Sequence, residues 1–140
     1  MKVFFVNVKS VYEMIVKHII EDAIGKGQIN QDNVFVGQYP TKDDIIYFLN
    51  SFVNSIQKEH NNQILSFYFV DGKFDPQPIY LNNEQITFDY SKTLNRLKSA
   101  LKFRIKTSDF YNISCKIVSQ DEVRNISANI GKSNSILFDE

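Results

Sequence analysis

Ile64-Leu65-Ser66-Phe67-Tyr68-Phe69-Val70 carries large apolar or aromatic side chains at both odd and even positions. Side chains alternate between faces along a strand, so a segment apolar in both phases reads as a central strand covered on both sides. Asp71-Gly72 ends it in a turn. Upstream, Ile45, Phe48, Leu49, Phe52, Val53 and Ile56 recur at helical spacing between Pro40-Thr41 and His60-Asn61-Asn62. Asp44 lies three residues after Thr41, where the helix dipole favours an acid.

The chain opens on Lys2 to Val8, β-branched and aromatic, which predicts a strand. Ser10 with Glu13 reads as a capping box for a helix whose stripe is Val11, Met14, Ile15, His18 and Ile19, closed at Gly25-Lys26-Gly27. Asn33 to Val36 predicts a short strand. Downstream of Asp71, Ile79 to Leu81 and Ile86 to Tyr90 read as strands about an Asn82-Asn83 turn. Leu94, Leu97 and Leu101 mark a helix from about Ser91. Phe103 to Lys106 and Tyr111 to Ile117 alternate as strands. Ser119 and Glu122 then cap a helix bearing Val123, Ile126 and Ile130, stopped by Gly131, before a last strand at Ile136 to Phe138. The expectation is an α+β fold (mixed α/β) in a single domain, residues 1–140. Its sheet is mixed and mostly antiparallel, with about four helices in the order β-α-β-α-β-β-β-α-β-β-α-β.

Composition narrows the function classes. With 140 residues, 43% hydrophobic and 23% charged, the chain is built to bury a core. A lone Cys115 excludes an internal disulfide and a cysteine-rich zinc site. The apolar start is broken by Asn7 and Lys9 and lacks a small-residue cleavage site, so the expectation is an unprocessed cytoplasmic protein. No run approaches the roughly 18 apolar residues of a membrane span, and no membrane partner is expected. Lysine outnumbers arginine 13 to 3 and Ile, Asn, Phe and Tyr abound. Such usage follows AT-rich coding and suits a phage or another mobile element.

Catalytic patterns are sparse. His18, beside Glu21 and Asp22, reads as a helix-interface histidine, and His60 as a cation at a helix C-terminus. Cys115 alternates with Ile113 and Ile117 and should face the core, where a thiol is inert. Gly25-Lys26-Gly27 closes a helix rather than opening one, so it is no phosphate loop. No cofactor motif is present. Asp71, Asp75, Glu84 and Asp89 flank mid-chain strands, the arrangement that would serve a metal-dependent phosphodiester hydrolase.

Charge, though zero overall, is uneven. Residues 1–88 hold 7 basic and 10 acidic side chains, while between Asp89 and Asp109 stand Lys92, Arg96, Lys98, Lys102, Arg104 and Lys106 with no acid. A helix–strand segment carrying these predicts one positive surface, with Tyr90, Phe110 and Tyr111 near its ends. It suits a non-enzymatic binding or interaction protein whose partner is an acidic protein or a nucleotide-like ligand. Zero net charge argues against general nucleic-acid binding. A third expectation is a homo-oligomeric assembly subunit of a phage particle or secretion machine, through Phe4 and Phe5 or Leu137 and Phe138.

Overall fold

A computed structural model of the chain describes residues 2–27, 41–75, 77, 80–81, 83–85, 90–107 and 114–138, the side chains of Ile19, Lys26, Leu81, Glu84, Tyr90, 103–107 and Lys132 excepted. Strand β1 (Lys2–Asn7) runs directly into helix α1 (Val8–Lys26). Helix α2 (Lys42–Glu59) precedes β2 (Ile64–Asp71), and a small hairpin, β3 (Tyr80–Leu81) with β4 (Glu84–Gln85), follows it. Helix α3 (Tyr90–Thr107) leads to β5 (Ser114–Ser119), and α4 (Gln120–Ile130) to β6 (Ser135–Leu137).

The main sheet has the order β5-β2-β1-β6, and every neighbouring pair in it is parallel. The expected mostly antiparallel sheet is therefore wrong. Its error lies at Phe103 to Lys106, which alternates like a strand but continues α3 to Thr107. A hairpin was expected there, whereas a helix carries the chain across the sheet and returns it in the original direction. Each later strand of the sheet is likewise preceded by a helix, which is the condition for parallel pairing. Among the described residues antiparallel pairing survives only in the hairpin, where Tyr80 opposes Gln85 and Asn83 takes a left-handed φ of 67°. The expected strand at Asn33 to Val36 lies outside the described residues, as do Ile86 to Asp89 and 111–113.

Strand alternation divides the core in two. Phe4, Val6, Ile64, Phe67, Phe69 and Cys115 point to one face, covered by α1, α2 and α3. Val3, Phe5, Val70 and Val118 point to the other, against Val123, Ile126 and Ile130 of α4. With helices on both faces of a parallel sheet, the arrangement is doubly wound. β2 lies between β1 and β5, buried from both sides as its composition predicted.

Local signals hold at several ends. Thr41 makes a reciprocal capping box with Asp44, whose backbone N–H donates to Thr41 Oγ1 at 3.2 Å while Thr41 N–H donates to the Asp44 carboxylate at 2.9 Å. Ser119 caps α4 by accepting from Glu122 N–H at 3.3 Å. Gly27 and Gly131 close α1 and α4 with φ of 68° and 83°. Ser10 does not cap α1. The helix starts at Val8, which is fully buried, and Glu13 faces Lys9 across one turn at 3.9 Å.

Candidate functional site

Parallel strands end at one edge, where the polar residues that leave the sheet collect. Asn7, Asp71 and Ser119 end β1, β2 and β5, and Asp71 stands opposite Ser119 in register. Ligands of open parallel sheets bind outside the carboxyl ends of the strands. A cleft of about 790 Å³ lies at this edge, lined by Asp71, Ser119, the 72–75 segment, Lys98 of α3, and Gln120 and Asp121 at the start of α4. That volume suits a small ligand, for which sites run roughly 300–1,000 Å³. It lies over β2 and β5, with β1 between it and the β1–β6 boundary where the winding reverses.

The 72–75 wall is anchored by Phe74, half-buried against the core, whose ring lies 5.8 Å from that of Tyr12. With Phe74 turned inward, Lys73 and Asp75 on either side of it are exposed along the cleft. Across the cleft, Ser119, Gln120 and Asp121 at the start of α4 form the lining, and Ser119 Oγ there already accepts from Glu122 N–H. Asp121 and Glu122 in its first turn already meet much of the dipole there.

Lys98 of α3 meets Asp71 at the end of β2. Its Nζ lies 3.3 Å from Asp71 Oδ1, with the two side chains 36% and 38% exposed. That oxygen is shielded from solvent and has no hydrogen bond, so the contact holds by charge rather than by an aligned N–H···O bond.

Four of the six expected basic side chains, Lys92, Arg96, Lys98 and Lys102, are described, all on α3. α3 buries Thr93, Leu97, Ala100 and Leu101. At roughly 100° per residue, Lys98, Lys102, Lys92 and Arg96 follow one another around the side of α3 away from that stripe, within an arc of about 160°. Of these four described cations, Lys98 alone lines the cleft. Arg104 and Lys106 belong to α3 rather than to a strand, so the wet strand face assigned to them does not exist; their side chains lie outside the described residues.

Of the four acids expected near a metal, Asp71 and Asp75 share the cleft, now with Asp121. Glu84 sits on β4 with its side chain outside the described residues, as is all of Asp89. Among the described residues no three His, Cys, Asp or Glu side chains are grouped to hold a metal ion. His18 is exposed with its ring 5.8 Å from Phe48, and His60 ends α2 with its ring 6.1 Å from Phe4. Cys115 is buried, and burial pushes its thiol up to about 12.

Phe4 and Phe5 are buried in β1, which has a strand on either side, so they offer no edge to another chain. No described helix is long and apolar enough to cross a membrane. No family model, curated protein or solved structure matches the chain. Sequence reasoning missed Lys73, Ser119, Gln120 and Asp121. The signal was there in the residue after each strand, but it is readable only once the strands are known to be parallel.

Proposed function

We propose that the chain is a binding module that takes a phosphate-bearing ligand of nucleotide size in the cleft at the carboxyl end of β2 and β5. The observation that carries this reading is the convergence there of Lys98, Lys73 and the first turn of α4 on a space of small-molecule volume. Ammonium groups and helix N–H groups are the usual partners of phosphate oxygens.

A panel of nucleoside mono-, di- and triphosphates, read by melting temperature, tests the reading. A ligand at 100 times its dissociation constant stabilises by about 2.7 kcal/mol, an upward shift easily resolved. Lys98→Ala should weaken binding roughly tenfold, the worth of one charge-assisted contact. A flat response across the panel at millimolar concentration refutes it.

A second reading is favoured by Asp71, Asp75 and Asp121 lining the same cleft: a metal-dependent phosphodiester hydrolase. A magnesium ion held by one or two carboxylates plus substrate phosphates would need no three-acid cage. Cleavage of a phosphodiester in the presence of Mg²⁺ or Mn²⁺, abolished in Asp75→Asn with the fold intact, would establish it. Absence of cleavage with either ion removes it.

A further inference from the structure

We infer that Asp71 is an internal competitor for the anion site, holding the Lys98 ammonium until a phosphate-bearing ligand takes its place. The inference rests on the binding reading above and concerns how that same site is regulated.

Three observations carry it. Both partners line the cleft and both side chains are over a third exposed, though the contacting Asp71 Oδ1 is itself shielded, so a ligand can reach these side chains without opening the core. The 3.3 Å contact lacks hydrogen-bond geometry, which places it among weak ion pairs rather than among tight, aligned ones. Lysine carries three rotatable donors on a flexible stem, so its ammonium can turn from one oxygen to another at small cost.

Charge balance gives the contact a regulatory sense. The cleft lining holds Asp71, Asp75 and Asp121 against Lys73 and Lys98, a formal balance of −1. An arriving anion therefore meets a negative site with one of its two lysines already engaged. Taking away the Asp71 charge brings the balance to zero and frees Lys98 at the same time. The resting pair thus lowers affinity for any anion and sets a threshold that only a multiply charged ligand passes.

The experiment is calorimetric titration of tripolyphosphate and of ATP into the wild-type chain, Asp71→Asn, Lys98→Ala and the double variant, at low salt. Asp71→Asn should bind at least about threefold tighter than wild type, the scale of an exposed ion pair. That gain should vanish when Lys98 is absent, a coupling that a general change of field would not produce. Equal or weaker binding by Asp71→Asn overturns the inference while leaving the binding reading intact. A gain that persists without Lys98 overturns it as well. Failure of both probes to bind wild type and Asp71→Asn at millimolar concentration sinks the binding reading itself. Circular dichroism checks each fold, and Asp71→Ala replaces Asp71→Asn should the latter not fold.

Discussion

Gln57 is the buried polar side chain on which the start of β2 depends, and its removal is the sharpest test of the fold. Its Nε2 donates to Ile64 carbonyl oxygen at 2.7 Å, and its Oε1 accepts from Ile64 N–H at 2.9 Å. The amide thereby offers Ile64 the donor and acceptor that a neighbouring strand would. Gln57 is 9% exposed and Ile64 1% exposed, so water cannot simply replace it. Gln57→Leu keeps the volume and the helix propensity but leaves both Ile64 groups without a partner. Each orphaned buried group costs about 1–3 kcal/mol, so a loss of about 2–4 kcal/mol is expected after partial relaxation. With a urea slope of about 1.5–2 kcal/mol/M for a chain of this size, the unfolding midpoint should fall by about 1–2 M. The slope itself should stay unchanged. A loss below about 0.5 kcal/mol would show that the pair is exchangeable with solvent, and the reasoning would fail.

Three further outcomes follow from single features. Gly131 has φ 83° and ψ 153°, a region open essentially to glycine, and a Cβ there would meet nothing within 4 Å. Gly131→Ala should therefore cost about 1–3 kcal/mol from backbone strain alone, measured by chemical unfolding, with no rearrangement of packing. Thr41→Ala removes the half of the capping box made by the Thr41 hydroxyl, leaving the Thr41 N–H to Asp44, and should cost about 1 kcal/mol by the same assay, whereas Thr41→Ser should be nearly silent. Cys115 has its thiol raised from 9.0 to about 12 in the folded chain. The unfolded chain loses that proton first, so stability holds below pH 9 and declines between pH 9 and 12, by at most about 1.4 kcal/mol per unit from this group. Cys115→Ala should flatten that decline, and the native thiol should resist Ellman's reagent at pH 8 until the chain is unfolded.

Much of the local structure was legible because it depends on short-range chemistry. Thr41 with Asp44, Ser119 with Glu122, and Gly27 and Gly131 each act on their own helix end, so sequence spacing suffices to find them. The two-sided character of Phe67 to Val70 likewise announced an interior strand. Strand direction was not legible in the same way. It depends on what crosses between strands, and one misread segment, Phe103 to Lys106, turned a helical crossover into a hairpin. The candidate site inherited that error. Asp71 and Lys98 were both noticed, one as an acid beside a turn and one as part of a basic face. Nothing local says that residues 27 apart in sequence meet at 3.3 Å.

What brings them together is the register of β2. Lys2 opposes Ile64, but the next residue, Val3, opposes Ser66, leaving Leu65 without a counterpart on β1. Leu65 is 49% exposed, as an extra residue pushed out of the ladder should be. Because of it, Ile64 and Phe67, three residues apart, both face the three-helix side of the sheet. Simple alternation from Ile64 would have turned Phe67 and Phe69 toward α4 instead. The shift thus puts Phe67, Phe69 and, continuing by twos, Asp71 on the side where α3 lies. Gln57 holds the amino end of that same strand at Ile64, ahead of the extra residue. The Asp71–Lys98 contact is therefore a consequence of strand phase. A change that let β2 slip by one residue would turn the Asp71 carboxylate toward α4 and away from Lys98, dissolving the cleft's ion pair even where the strand itself survived.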